Sequence, residues 1–518
     1  MPEITIITGE SIHRHTVPDR GLLDESLLEL GYLIERQCAG KGTCGRCRVK
    51  AEGNLSRPTQ LESEALGNDA IAAGWRLACQ AEIIGDIKVT LAQYILHTDK
   101  VFGKIPDEKD LPEHLGLAVD LGTTTVGVFL VESEHYRVLA GNAVLNHQTS
   151  LGADVISRLE AASRNHAEPR RPARLAMDSI EDALHRLLTS KGIISRIEKV
   201  IVVGNTAMHH LLLGLDTSRL MVSPFQPAVK GPLVKNGFIK SLTADVEVLF
   251  PPVIGGFVGS DALACIVYFG IGRKTPGPTM AIDLGTNGEV MIGIDGIVYV
   301  SSTAAGPAFE GVNISCGMRA TPGAVISASW EGESLTVRTI GALAPQGLAG
   351  SGLLSVIRRL RDRGVIESNG RIIDPESDST KLVFRLADGK AVKLPGGLIL
   401  THEDVRELQK AKGAVRACTD ILLKEAGIAP EDLERVYLTG SFGGRLDVED
   451  VLSLGVLPYV DASIIKSIPN GAGLGAALML DAEMFEQACG IAQNCRHVEL
   501  FDIPIFMDRY IDSMSLTR

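Results

Sequence analysis

One phrase of sequence occurs twice. Leu117-Ala-Val-Asp120-Leu-Gly122-Thr123-Thr124-Thr125 is echoed about 160 residues later by Met280-Ala-Ile-Asp283-Leu-Gly285-Thr286-Asn287-Gly288. Each copy runs on into a second apolar stretch, Val126 to Val131 and Val290 to Ile294. An apolar run, a glycine turn and another apolar run spell a buried β-hairpin. A chain that repeats this unit at domain-sized spacing is expected to fold as two similar α/β lobes facing one cleft. Composition agrees, because 55 Gly and only 4% aromatic residues suit tight strand-to-helix turns better than an all-β core.

The hairpins also carry chemistry. Glycine at Gly122 and Gly285 lets backbone approach a phosphate, and the consecutive N–H groups after it form an anion nest. Thr123, Thr124, Thr286 and Asn287 add side-chain donors, while Asp120 and Asp283 face a magnesium ion through its water shell. Asp-x-Gly-Thr alone also occurs as an ordinary strand turn. A third element strengthens the nucleotide reading: the apolar Val436 to Thr439 ends in Gly440-Ser441-Phe442-Gly443, a glycine-rich loop suited to packing against adenine and ribose. A fourth, Gly471-Ala-Gly473-Leu-Gly475-Ala476, opens a helix of small residues between the lobes, with Gly473 assigned to the nucleotide. No GxxxxGK[ST] loop occurs. Gly471-x-Gly473-x-x-Ala476 matches a dinucleotide fingerprint, but without a surrounding βαβ unit it reads as a helix-packing turn.

Nine cysteines are spread unevenly. Cys38-x5-Cys44-x2-Cys47, followed by Cys79, supplies four thiolates, three of them on one loop rich in small residues. That pattern fits a 2Fe-2S cluster, with backbone N–H groups offsetting the thiolate charge. A structural zinc site is the alternative, although zinc sites more often use two CxxC knuckles and one such pair is present. Cys265 and Cys418 sit in apolar helical patterns as small core residues, and Cys489 and Cys495 read as thiols without a cluster.

Three stretches follow. Residues 1–95 have a β-grasp order: strands at Ile4 to Thr8, His13 to Val17 and Arg48 to Glu52, a helix near Leu27 to Arg36, and a last strand at Asp86 to Leu91. Residues 96–115 are a polar linker. Residues 116–518 hold the two lobes, roughly 116–279 and 280–518. Thr401-x-x-Asp404 is a capping box opening a long helix to about Glu425, and another helix is expected over Gly473 to Met484. The net charge of −12 argues against nucleic-acid binding. No basic segment leads into an apolar stretch at the N-terminus, and no span is long and apolar enough for a bilayer, so a soluble cytoplasmic protein is expected.

The four nucleotide elements resemble the acetate and sugar kinase and actin superfamily. Behind a ferredoxin domain, and with Gly152-Ala-Asp154, Gly204-Asn205-Thr206, Ser223-Pro224-Phe225, Gly255 to Asp261 and Ser302 to Gly311, almost the whole chain resembles the reductive activators of corrinoid-dependent methyltransferase systems. The resemblance implies an α/β protein: a 2Fe-2S β-grasp domain, then an actin-like ATPase with ribonuclease H-like lobes. It implies ATP and Mg2+ as cofactors, an external low-potential electron donor, and a corrinoid protein as partner, returned from Co(II) to Co(I). Longer relatives insert a domain between ferredoxin and ATPase where this chain has only the linker, so homodimer formation stays open.

Plant-type clusters work near roughly −400 mV. A corrinoid couple lower than this costs about 2.3 kcal/mol per electron for each 100 mV, which ATP supplies only if nucleotide state alters the grip on the partner. Ser301, Ser302 and Gly306 are the candidate corrinoid contacts, on a loop that otherwise shapes the cleft. Two rival readings stay in view: an ATP-driven electron activator of another low-potential enzyme, and a small-molecule kinase with a regulatory iron-sulfur cluster. His209 and His210 are read as packed or solvated rather than as metal ligands.

Overall fold

The computed structural model describes the chain except for residues 9–10, 31–41, 44, 46, 92–107, 153, 165–167, 189–190, 275–276, 312, 388, 441–445 and 518. The chain divides into two units, Met1–Ile95 with Leu145–Ser179, and Leu96–Val144 with Ile180–Arg518.

In the first unit, alternation decides the sheet. Ile4 and Ile6 of strand Glu3–Thr8 are fully buried, as the period of two requires. The five strands lie in the order Ser11–Thr16, Glu3–Thr8, Ile83–Leu91, Arg48–Leu55, Trp75–Leu77. Glu3–Thr8 runs parallel to Ile83–Leu91, and the other pairs are antiparallel. This is the mixed sheet of a β-grasp. The helix covers Leu23–Glu29, earlier than the expected Leu27 to Arg36, because Leu23 and Leu27, one turn apart, are the pair that enters the core with Leu77, Ile83 and Val89. Each such side chain contributes about 1.5–3 kcal/mol. Residues 31–36 of the expected helix lie outside the described residues. At Gly53 the register slips by a bulge with φ at 110°, and a Cβ there would lie 2.5 Å from the Asp86 carbonyl oxygen, so only glycine fits.

The second unit contains two six-stranded sheets that repeat one plan. In the first, the order is Leu233–Asn236, Glu247–Phe250, Ile197–Gly204, Leu115–Leu121, Thr125–Glu132, Val138–Leu145. In the second it is Ile465–Ser467, Arg435–Thr439, Thr279–Leu284, Gly288–Ile294, Ile297–Thr303, Arg496–His497. In both, the strand carrying Asp-Leu-Gly-Thr is central, antiparallel to its hairpin partner and parallel to the strand on its other side. The internal repeat of the sequence is therefore a repeat of sheet topology.

Helix Ser260–Phe269 packs against helix Gly471–Leu478, where a Cβ on Gly475 would fall 1.9 Å from the Ala264 carbonyl oxygen. The small residues are there for this close approach, as the packing-turn reading expected. The helix expected over Gly473 to Met484 is instead two. Asp481 accepts a hydrogen bond from the Met484 N–H at 2.9 Å and starts a new helix, Ala482–Asn494. The capping box at Thr401 and Asp404 opens helix His402–Ala426 as expected.

Candidate functional site

At the cluster loop, Cys47 and Cys79 are described and Cys38 and Cys44 lie outside the described residues. The two thiols come from ends of different strands: Cys47 precedes Arg48–Leu55 and Cys79 follows Trp75–Leu77. Pairing of these strands brings the buried sulfurs to 3.2 Å. The Cys47 hydrogen bond leads in lowering the Cys79 thiol to about 6, with the Gln80 amide, 3.6 Å from its sulfur, also contributing. Two buried thiols at this distance, with donors aimed at one of them, fit half the ligand set of a thiolate-bound cluster. The segment is fixed from behind by Glu62, which is fully buried. Its carboxylate takes two bonds from Arg76 at 2.8 and 3.0 Å, one from the Leu77 N–H at 3.0 Å and one from the Thr59 N–H at 2.9 Å.

The second site lies wholly in the second unit. Both hairpin turns open on one cleft lined by Asp120, Gly122, Thr123, Thr124, Gly285, Thr286, Asn287 and Gly440. The two copies of the repeat touch there: the Thr124 and Thr286 hydroxyl oxygens are 3.1 Å apart. Thr286 in turn donates to Glu310 Oε1 at 2.6 Å. Asp283 accepts from the Cys265 thiol at 3.6 Å. Gly440 has φ at 94°, and a Cβ there would strike the Asp283 carboxylate at 2.1 Å. Its glycine is thus demanded by the site itself.

The cleft is crowded with carboxylates. Burial, then the charges of Asp283 and Asp120, push Asp261 up to about 7. Burial, with Asp261 and Asp283 beside it, pushes Glu289 well above the usual carboxylate range. A hard, oxygen-rich donor set of this kind suits a divalent cation such as magnesium. Among the described residues no group of three His, Cys, Asp or Glu side chains is placed to hold a metal ion directly. One buried polar atom points to a missing ligand: Asn470 lines the cleft in a left-handed conformation, its Oδ1 receives the Gly473 N–H, and its Nδ2 has no hydrogen-bond acceptor among the described residues.

Other expected residues fall elsewhere. Gly473 is buried and is not among the cleft-lining residues; a Cβ there would meet Asn470 Nδ2 at 2.3 Å and the Phe129 ring at 2.6 Å. Ser441, Phe442 and Gly443 lie outside the described residues. Ser301 and Ser302 are on strand Ile297–Thr303 rather than on a loop. Ser301 is buried and donates to the Val498 carbonyl at 2.7 Å, whereas Ser302 donates to Glu289 at 3.1 Å. The loop proper holds Gly306, with φ at 76° and open space around it. His209 and His210 are buried, with desolvation lowering His209 to about 3, as packed residues should be. Cys265 and Cys418 are core residues, and burial raises Cys495 to about 12.

Comparison with known proteins gives three family matches along the chain. Residues 6–83 match the 2Fe-2S iron-sulfur cluster binding domain, 115–274 the RACo middle region and 277–518 the C-terminal ASKHA domain of RACo. The corrinoid activation enzyme RamQ of Eubacterium limosum is 32% identical over 435 residues, covering 80% of this chain and 73% of the relative. The chain belongs to the corrinoid activation protein family. A Methanosarcina barkeri relative, the [Co(II) methylated amine-specific corrinoid protein] reductase, is 26% identical over 436 residues, 77% of this chain and 76% of its own. The fold of a reductive activator for corrinoid, iron-sulfur protein superposes on 100% of this chain and 98% of its own, with a TM-score of 0.70 at 24% identity.

Within this activator, Asp261, Glu310, Asn205 and Asn470 line the cleft without having been assigned to it from sequence, and Glu289, which ends the second copy of the repeat, lines it with them. Asn205 and Asn470 had a legible signal, since each stands as an N-cap directly before a helix of the cleft wall. The three carboxylates come from separate elements that only the tertiary fold brings together.

Proposed function

We propose that this chain is an ATP-driven reductive activator that passes one electron to Co(II) of a corrinoid protein and restores Co(I). The observation that carries this is the meeting of the two repeated hairpins at Thr124 and Thr286 in a chain that also brings Cys47 and Cys79 together in a β-grasp. When bound, a 2Fe-2S cluster supplies a one-electron donor and magnesium–ATP the free energy for the uphill transfer.

The chain's own residues divide the work. Cys38, Cys44, Cys47 and Cys79 hold the cluster. Gly122, Thr123, Thr124, Gly285, Thr286 and Asn287 offer N–H and side-chain donors to phosphates, and Gly440 keeps the cleft wall beside Asp283 free of a side chain. Asp120 and Asp283 orient the water shell of the cation. Ser302, near the end of strand Ile297–Thr303, and Gly306, in the loop after it, are the contacts offered to the corrinoid partner, with buried Ser301 behind them. The experiment is anaerobic absorbance of a Co(II) corrinoid protein under a low-potential reductant: Co(I) is expected only with activator, Mg2+ and ATP together, and equal Co(I) without ATP rejects the reading.

A further inference from the structure

The loop after strand Ile297–Thr303 is tied to the nucleotide cleft at both ends. At its start, Ser302 lies directly across the strand pair from Glu289, and its hydroxyl donates to Glu289 Oε1 at 3.1 Å. At its end, Glu310 closes the short turn Pro307–Glu310 and accepts the Thr286 hydroxyl at 2.6 Å. Glu289, Thr286 and Glu310 all line the cleft and all are buried. Between the two ties, Ala304 is exposed and Gly306 has open space around it.

The second tie is exclusive. A threonine hydroxyl has one proton. Thr286 gives it to Glu310, so in its contact with Thr124 it is the acceptor, and the chain runs Thr124 to Thr286 to Glu310. If Thr286 turns its proton to a phosphate oxygen, Glu310 loses its donor and a buried carboxylate is left to seek another. The first tie has no such conflict, because a carboxylate has room for several donors. Ser302–Glu289 therefore serves as the hinge and Thr286–Glu310 as the latch.

We propose that Ala304–Gly306 is a nucleotide-gated contact loop, latched by the Thr286–Glu310 hydrogen bond and released when a phosphate takes the Thr286 proton. The proposal rests on the reading of the cleft as a nucleotide site and adds the route by which occupancy reaches the partner-facing surface. By linkage, a partner that prefers the released loop tightens nucleotide binding by the same factor.

The test is hydrogen–deuterium exchange of the segment 302–311 in the full-length protein. Without nucleotide, Thr286→Val should raise exchange by about fivefold or more, the lower end of measured couplings, while Thr286→Ser, which keeps the proton, should match the wild type. Adding magnesium and a non-hydrolysable ATP analogue should raise wild-type exchange to the level of Thr286→Val and move the valine variant by less than about twofold. Calorimetry on the same samples separates the failures. An analogue that binds without changing the wild-type segment overturns the gate and leaves the nucleotide site standing. An analogue that does not bind overturns the nucleotide reading and the gate with it. Identical exchange in Thr286→Val and wild type, without nucleotide, overturns the latch alone and thereby the proposal.

Discussion

Thr124 of the first hairpin turn and Thr286 of the second face each other with their hydroxyl oxygens 3.1 Å apart. Thr286 directly follows Gly285 and Thr124 stands two residues after Gly122, one position further along its copy of the repeat, so the contact joins the turns that follow the two central strands. Thr124→Val removes the donor of this pair and should weaken nucleotide binding about fivefold to tenfold, the worth of one ordinary hydrogen bond. Because the two residues touch, Thr124→Val with Thr286→Val should cost less than the sum of the single changes. Titration of a fluorescent ATP analogue into the three variants measures this, and strict additivity counts against direct coupling.

Asp120→Asn and Asp283→Asn keep side-chain size and remove one charge each from the carboxylate cluster. Either should lower magnesium-dependent ATP hydrolysis at least about a hundredfold, because positioning of the cation and its waters is worth several kcal/mol. The visible spectrum of the cluster should be unaltered. Full turnover in both variants shows that the cation sits elsewhere.

Much of this was legible in advance because it is local. The buried hairpins follow from Leu117 to Val131 and Met280 to Ile294, and the capping box from Thr401 and Asp404 alone. The break at Asp481 was missed because the small apolar residues from Gly471 onward run smoothly into the next helix, and only the hydrogen bond to Met484 marks the restart. Ser301 and Ser302 read as loop because serine and threonine favour turns. Pairing with Glu289 and Val290 makes them strand instead. Asp261 and Glu310 were not assigned because nothing local distinguishes a carboxylate that lines a cleft from one that faces water.

Glu62 links stability to pH in the ferredoxin unit. Burial by itself would raise its carboxyl, but the bonds from Arg76, Thr59 and Leu77 together hold it below the usual value. A carboxyl whose folded pKa is lowered stabilises fully above its unfolded value, about 4.3, and loses that contribution as pH falls through the folded value. Glu62→Gln leaves Arg76 buried without its counter-ion and should cost about 3–5 kcal/mol near neutral pH. Denaturant titrations followed by the cluster's visible circular dichroism should show a difference from wild type that is constant from pH 7 to about 5 and shrinks below about 4. A difference that grows on acidification contradicts the assignment.

The last prediction asks whether the two sites serve one event. A ferredoxin facing a couple below its own potential is opposed by about tenfold for each 59 mV, so electron transfer without nucleotide should leave little Co(I). Cys47→Ala should lose the cluster's colour and Co(I) formation while still hydrolysing ATP, because its thiol lies in the β-grasp and not in the cleft. Asp283→Asn should keep the colour and fail at the same reaction for the opposite reason. If donor and nucleotide act on the corrinoid held by the same chain, mixing the two variants supplies every part and still restores nothing. Anaerobic absorbance of the Co(II) corrinoid protein with magnesium and ATP reads the outcome directly. Recovery of wild-type Co(I) by the mixture shows that cluster and nucleotide operate from separate chains, and the linkage of both in one polypeptide then needs a different physical explanation from local delivery of the electron.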